Sequence, residues 1–291
     1  MINWVSITAS ISHATQSHFE LAHAKPLTGG CINQAWRIEG LKGERYFVKL
    51  NDNHKLEMFA AERAGLDALA ATRTVRVPHP VTHGQSGEHA FLVLEYLELN
   101  GSGNARLLGT QLAALHHCTA GQFGFNRNNT LGETLQRNSF SSDWISFWRE
   151  QRLGFQLDLA ARNGYGGKLQ EMGHAIMKRL PDFFECYQPQ PSLLHGDLWG
   201  GNHACASGGI PVIFDPAPYY GDREADLAMT ELFGGFGREF YAAYRAAWPL
   251  DAGYAARKIL YNLYHILNHA NLFGGGYVKQ AESMMQRLLS P

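Results

Sequence analysis

His195-Gly-Asp-Leu-Trp-Gly-Gly-Asn202, followed by the run Ile210-Pro-Val-Ile-Phe214 and then Asp215, is the stretch around which the rest of the chain is read. It sets an aspartate, an asparagine five positions on, and a second aspartate after a β-branched and aromatic run. Such a run favours a strand, so Asp215 is expected at a strand end with its carboxylate facing a cleft. Transfer of the γ-phosphoryl of ATP needs a carboxylate beside the acceptor hydroxyl, oxygen ligands for a divalent cation, and positive charge on the phosphates. Asp197 suits the first role. Asn202 and Asp215 suit the second, because Mg²⁺ takes hard oxygen ligands and few protein groups. A bare His-Gly-Asp triplet equally fits a turn whose aspartate satisfies backbone amides. The added asparagine, strand and second aspartate favour the chemistry over the turn.

The spacing is that of a kinase catalytic loop, H-x-D-x-x-x-x-N with a metal-binding aspartate downstream. The remaining parts follow upstream in order. Gly29 and Gly30 lie between two strand-like segments, where a hairpin backbone can come close to a ligand; an ordinary hairpin turn explains the pair equally simply. Residues 46–50 form a short strand carrying Lys49, and residues 56–71 an Ala/Leu-rich helix with Glu57 and Glu62. Either glutamate could hold Lys49 over the phosphates. Glu62 is favoured, since Glu57 lies in the first turn, where a carboxylate also suits the helix dipole. Residues 75–80 are a proline-bounded connector and 91–97 a buried strand, and the Gly/Ser-containing segment 98–103 reads as a hinge. Backbone groups of Glu95, Tyr96 and Leu97 are then placed to meet the adenine edge.

Composition narrows the alternatives. The chain has 291 residues, 45% hydrophobic and 18% charged, with a net charge of −1. That suits two modest lobes, and no Lys/Arg cluster provides a footprint for nucleic acid. Residues 1–20 lack the pattern of a signal peptide, and no apolar run has the length of a membrane span. Four cysteines, Cys31, Cys118, Cys186 and Cys205, show no paired motif, so a reduced, cytoplasmic setting is expected. Among 14 histidines, His79 and His83 are denied a helical face by Pro78 and Pro80, and the neighbours His116 and His117 diverge on a helix. Neither pair reads as a metal site.

Elsewhere, residues 7–22 are expected to be helical, and the chain from residue 102 onward mostly so. Leu107, Leu108, Gln111, Leu112 and Leu115 mark a helical stripe over 105–119. Residues 122–136 read as a Gly/Asn-rich loop, 143–162 as one helix with Trp144, Phe147 and Trp148 near its start, and 254–273 and 278–289 as amphipathic helices.

With these parts together, the chain resembles the fructosamine kinase (ketosamine-3-kinase) family, a branch of the aminoglycoside phosphotransferase-like kinases. The resemblance rests on Thr28-Gly-Gly-Cys-Ile-Asn33, Phe47-Val-Lys49, Leu92-Val-Leu-Glu-Tyr-Leu97, Gln122-Phe-Gly-Phe125, Leu193-Leu-His-Gly-Asp-Leu-Trp-Gly-Gly-Asn202 and Phe214-Asp-Pro-Ala217. Tyr219-Tyr-Gly-Asp-Arg-Glu-Ala-Asp-Leu-Ala-Met229, Glu231-Leu-Phe-Gly-Gly-Phe236 and Asn268-His-Ala-Asn-Leu-Phe-Gly-Gly-Gly276 extend it over most of the chain. It implies an α+β, bilobal, protein-kinase-like fold, with a small antiparallel-sheet lobe over 1–97 that binds ATP and a larger, mostly helical catalytic lobe over 98–291. It also implies ATP- and Mg²⁺-dependent phosphorylation of the sugar O3 of a ketoamine, on a free or protein-bound amine, giving a 3-phosphate that eliminates and frees the amine. Carried over residue by residue, Asp197 resembles the proton acceptor, Asn202 and Asp215 the metal ligands, and Lys49 with Glu62 the phosphate-positioning pair. Arg223 and Asp226 read as structural ties to the catalytic loop.

The acceptor side is more open. Trp199 offers a flat face to a sugar or its amine, or else braces the loop as a core residue. Asn268 and His269 could reach the same place, although a satisfied core role is the stronger default for a lone helix His or Asn. Cys31 follows the glycine pair directly, where backbone amides would favour a thiolate and exposure would make it oxidisable. A redox-sensitive loop is one expectation, extended by the resemblance to a disulfide between two chains in a homodimer; a small residue in a tight hairpin is the other. Two further functions remain beside the ketoamine reading: a kinase for choline, an aminoglycoside or another small alcohol, and a non-catalytic nucleotide-binding pseudokinase.

Overall fold

Apolar residues alternating along short β-branched segments, with a two-sided helix at each flank, generate the first part of the structure. A computed structural model of the chain describes residues 2–28 and 32–290. The described residues divide into two compact units, one of residues 2–104 and 204–216, the other of 105–203 and 217–290.

The first unit is built on a five-stranded antiparallel sheet among the described residues, with strands β1 (Leu21–Leu27), β2 (Gln34–Gly40), β3 (Arg45–Asp52), β4 (Pro80–Ser86) and β5 (His89–Glu95) in the order β1-β2-β3-β5-β4. Val48 and Leu50 of β3 pair with Val93 and Phe91 of β5, and with Ile38 they form one face of the sheet. Helix α1 (Trp4–Thr15) covers that face with Ile7 and Ile11, one turn apart and fully buried. Helix α2 (Leu56–Ala71) packs against β4 and β5.

The helix expected over 7–22 is corrected here. It starts at Trp4 under an Asn3 cap, ends at Thr15, and Gln16 turns the chain with φ +51°. Residues 21–27, Pro26 among them, are instead a strand. Proline removes a ladder donor, and β1 tolerates it because it is an edge strand.

The second unit is mostly helical: α3 (Ala105–His116), α4 (Trp144–Phe147), α5 (Phe155–Arg162), α6 (Lys168–Arg179), α7 (Arg223–Leu232), α8 (Arg238–Ala247), α9 (Tyr254–Phe273) and α10 (Gly276–Leu289). Its cores form where α3 meets α8, α7 meets α9, and α9 meets α10. The single helix expected over 143–162 is interrupted: Asp143 caps α4 through the Ser146 N–H at 2.7 Å, and a π-helical stretch, Trp148–Gly154, separates α4 from α5. That stretch buries Arg152, whose guanidinium lies 4.0 Å from the Tyr219 ring centre and donates to the carbonyl of Arg137 and to Asn138. The loop expected over 122–136 contains a small hairpin, β6 (Asn129–Leu131) with β7 (Thr134–Gln136). No helix among the described residues is long and apolar enough to cross a membrane.

Candidate active site

In the first unit, Lys49 occupies the middle of β3, opposite Leu92 of β5 and Ala35 of β2. Since Val48 and Leu50 face α1, strand alternation turns Lys49 to the other face, where its side chain is 6% exposed. Its ammonium donates to Glu62 Oε1 at 2.6 Å and to Asp215 Oδ1 at 2.5 Å. Glu62 comes from the α2 face that also carries Phe59, Leu66 and Leu69, whereas Glu57 lies exposed in the first turn. Burial pulls the Lys49 pKa down, but the charges of Asp215 and Glu62 outweigh it, and the amine is held protonated above its ordinary range. A buried cation with two carboxylates keeps its charge through such pairing.

Asp215 follows strand β10 (Ile210–Ile213), which forms a ribbon with β9 (His203–Ala206). Its φ of +57° is a left-handed conformation that aspartate tolerates better than most side chains. The ribbon is fastened within its unit: the Ile213 N–H donates to the Arg76 carbonyl at 3.0 Å, and the Arg76 guanidinium donates to Glu95 Oε2 at 2.6 Å. The other Glu95 oxygen accepts the His79 N–H at 2.6 Å. The Glu95 carboxylate thus ties the end of β5 to the 76–79 connector. The Tyr96 ring lies beneath Arg45 and Arg37, and Leu97 precedes Glu98, which pairs with Arg45. Beyond them the Gly101 N–H donates to the Cys205 carbonyl at 2.9 Å, and a Cβ at Gly101 would stand 2.1 Å from the Ala206 oxygen. Gly29, Gly30 and Cys31 lie outside the described residues.

In the second unit, the loop 194–202 runs between β8 (Ser192–Leu193) and the ribbon. The segment 217–219 supports it: Leu194 donates to the Tyr219 carbonyl and Ala217 to the His195 carbonyl. Gly196 sits at φ +84°, with the Ala217 oxygen only 2.0 Å from where a Cβ would be, so no larger residue fits. The Asp226 carboxylate, on α7, accepts the backbone N–H groups of His195 at 2.7 Å and Gly196 at 2.8 Å, and His116 Nε2 at 3.1 Å. Burial pushes the Asp226 pKa up, but hydrogen bonds and charge from His116, with further help from His195, leave it below the usual range. Burial lowers the His116 pKa. His116 bridges the Asp226 carboxylate through Nε2 and Tyr244 Oη, 2.7 Å from its Nδ1.

Asp197 and Asn202 are joined directly. The Asn202 amide nitrogen donates to the Asp197 carbonyl at 2.9 Å and to Asp197 Oδ2 at 3.2 Å, and its carbonyl oxygen is left out of both bonds. That oxygen and the half-exposed carboxylate of Asp215 are hard donors, the type a Mg²⁺ ion takes. Trp199 is 39% exposed; its ring packs edge-on to Phe233 at 6.2 Å, and Phe233 packs on His269 at 5.3 Å. A Cβ on Gly201 would meet the Trp199 ring, so that glycine makes room for it. Asn268 is buried, with its amide donating to the Leu131 carbonyl and accepting from Gln156.

The structure therefore gathers Lys49, Glu62 and Asp215 in one unit, and Asp197, Asn202, Trp199 and His269 in the other. Sequence reasoning missed Arg76, the Glu95 side chain, and the layer of His116 and Tyr244 behind Asp226. The only signal for His116 was its place on the buried stripe of α3.

The match with the fructosamine kinase family model covers residues 3–291. A "probable ketoamine kinase" of Synechocystis is 48% identical, with 98% of this chain and 97% of that protein covered. A chloroplastic protein-ribulosamine 3-kinase of Arabidopsis thaliana is 45% identical, covering 90% and 81%. A crystal structure from Haemophilus somnus, described as a "putative fructosamine-3-kinase", superposes with a TM-score of 0.90 at 30% identity over 99% and 98% of the two chains. The fold is that of the protein-kinase-like phosphotransferases. The chain belongs to the fructosamine kinase family and is an ATP-dependent phosphotransferase.

Proposed function

We propose that this enzyme phosphorylates the O3 hydroxyl of ketoamines of the ribulosamine and fructosamine type and so initiates their removal from amines. The reading draws on the names of its relatives, but one structural observation carries the chemistry: Asn202 braces both the backbone and the carboxylate of Asp197. That brace holds Asp197 as an oriented acceptor. A carboxylate cannot deprotonate an alcohol outright at neutral pH, so Asp197 orients the hydroxyl and takes its proton late, as the new P–O bond forms.

Lys49, fixed by Glu62, places positive charge on the ATP phosphates. Asn202 and Asp215 would hold Mg²⁺ through their side-chain oxygens, and the ion would supply charge neutralisation for the transferring phosphoryl group. Glu95, Tyr96 and Leu97 provide the backbone that meets adenine. Trp199 gives the sugar a face to lie on, with His269 beyond it. A phosphate on C3, beside the C2 carbonyl, leaves as inorganic phosphate once the sugar enolises toward C1, and water then hydrolyses the resulting C1 imine to free the amine. Deglycation is thus a consequence of where the phosphoryl group is placed.

The test is ADP release with a ribulosamine, a fructosamine, choline and kanamycin as acceptors, with phosphorus NMR to locate the new ester. Turnover of choline or kanamycin but of neither ketoamine would overturn the acceptor assignment. Substantial turnover by Asp197→Asn would remove the proton-acceptor role, since loss of a positioned base costs about 10²–10⁴-fold.

A further inference from the structure

The hairpin of β6 and β7 has strands of only three residues, too short to persist on its own. Its end residues Asn129 and Gln136 pair with one another and are 5% and 1% exposed. Buried carboxamides cost stability unless their groups are bonded, and here they are. The Gln136 amide nitrogen donates to Asn129 Oδ1 at 2.8 Å and to the Ala217 carbonyl at 2.9 Å, and its oxygen accepts from Tyr264 Oη at 2.9 Å. Asn129 donates to the Pro218 carbonyl at 2.8 Å. The hairpin is fastened in turn: Asn268 of α9 donates to the Leu131 carbonyl at 3.2 Å, and Arg152 grips the Arg137 carbonyl and Asn138.

The need for these side chains lies in Pro216-Ala-Pro218. Two prolines leave this buried segment a single N–H, so it cannot join a sheet ladder, yet its carbonyls still require donors. Ala217 gives that N–H to the His195 carbonyl at 2.9 Å, and its own oxygen fills the space where a Cβ on Gly196 would be. One residue therefore meets the catalytic loop at two consecutive positions, and Asp197 is the next along the chain. The Asp226 carboxylate holds the same loop by the N–H groups of His195 and Gly196. Ala217, backed by Gln136, supplies the carbonyl side of the clamp.

We propose that Gln136 is a positioning residue for phosphoryl transfer: through Ala217 it sets the backbone of His195 and Gly196, and hence the place of the Asp197 carboxylate. The inference rests on the proton-acceptor reading of Asp197 above. Gln136 is buried and its carboxamide is fully used within the protein, so its loss acts on kcat rather than on the KM of either substrate.

The experiment compares Gln136→Met with Gln170→Met in the whole enzyme, with ATP and the ribose-derived ketoamine of propylamine. Gln170, on α6, is a matched control: its amide also donates to two carbonyls of the same unit, those of Leu157 and Tyr165, both at 3.0 Å. Methionine keeps the length of glutamine and removes the donors, so both variants should melt lower than the wild type. Only Gln136→Met should lose kcat, by about tenfold or more, given that a misplacement of about 1 Å costs roughly 10²-fold. Its KM values for ATP and for the ketoamine should stay within about twofold of wild type. Hydrogen exchange of the backbone N–H groups of residues 194–199 should quicken in Gln136→Met and not in Gln170→Met. Tyr264→Phe frees the Gln136 oxygen while keeping the ring; it should lose kcat to a smaller degree, and it decides the matter if Gln136→Met does not fold. A wild-type kcat in folded Gln136→Met, or failing that in Tyr264→Phe, overturns the proposal. Equal losses of kcat in Gln136→Met and Gln170→Met do so too, because they reduce the effect to stability. Asp197→Asn keeps the two readings apart: if it is inactive beside a fully active Gln136→Met, only the buttress falls, whereas an active Asp197→Asn removes the acceptor role on which it rests. No turnover of the ketoamine by the wild type overturns both.

Discussion

Asn202 donates one amide group to Asp197 twice, to its backbone carbonyl at 2.9 Å and to its carboxylate at 3.2 Å. A side chain that holds both the backbone and one carboxylate oxygen of a neighbouring aspartate sets its rotamer. Replacing Asn202 with Ala should lower kcat by roughly 10²-fold, in the range seen when a positioning partner of a reactive group is lost. Asn202→Asp is more informative. It sets a second carboxylate against the first, and like charges at that distance raise a pKa. The acidic limb of kcat/KM should move to higher pH in Asn202→Asp; a limb that stays in place would show that Asp197 does not titrate in that profile.

Asp226 anchors the same loop from behind, through the N–H groups of His195 and Gly196 and through His116. Asp226→Asn keeps the shape but presents an NH₂ to one of those donors. A buried donor facing a donor costs about 1–3 kcal/mol. The variant should melt several degrees lower and lose kcat with little change in the KM for ATP, because the loop that moves carries Asp197 and not Lys49. Differential scanning fluorimetry and initial rates at saturating ATP measure both; a wild-type melting temperature with wild-type kcat would remove the anchoring role.

How far the sequence speaks can be judged from particular residues. The helix over 56–71 followed from its Ala/Leu-rich composition, and the choice of Glu62 over Glu57 from position, because Glu57 lies in the first turn, where a carboxylate also suits the helix dipole. The strand bearing Lys49 was equally plain. Residues 21–27 were not, because Leu-Ala-His-Ala-Lys-Pro-Leu has neither a clean period of two nor strong β-formers, and only pairing with β2 makes it a strand. The π-helical turn at Trp148–Gly154 has no local signature: burial of Arg152 among Phe147, Tyr219 and Tyr264 decides it, and two of those rings, Tyr219 and Tyr264, come from distant segments. Glu95 was read for its backbone, and its carboxylate ties to Arg76 and His79 became visible only with the sheet assembled.

Lys49 holds two carboxylates at once, Glu62 at 2.6 Å and Asp215 at 2.5 Å. Lys49→Met leaves those acids facing one another without a cation, which a buried site tolerates poorly. The KM for ATP should rise and kcat fall by more than tenfold, and folding stability should drop as well. Glu57→Gln is the control on the same helix and should change neither. Glu62→Gln should resemble Lys49→Met more weakly, since Asp215 still faces the ammonium. Equal effects of Glu57→Gln and Glu62→Gln would defeat the assignment of the pair.

His265, 5% exposed on α9, gives a prediction about pH. Burial lowers its pKa to about 3, with a further push from His269; Asp226 acts in the opposite sense and Arg152 in the same one. A histidine whose folded pKa is depressed stays neutral in the native state while the unfolded chain takes up a proton. Its contribution to stability is therefore complete above pH 6.5 and is lost as pH falls, by about 1.4 kcal/mol per pH unit until the folded value is reached. Other groups titrate over the same range, so the useful quantity is a difference. Urea unfolding of the wild type and of His265→Gln at pH 7, 6 and 5 should show the gap between them shifting against the wild type as pH falls. A gap that is constant across the three pH values would mean that the imidazole is protonated equally in both states, and the burial argument for α9 would fail at that residue.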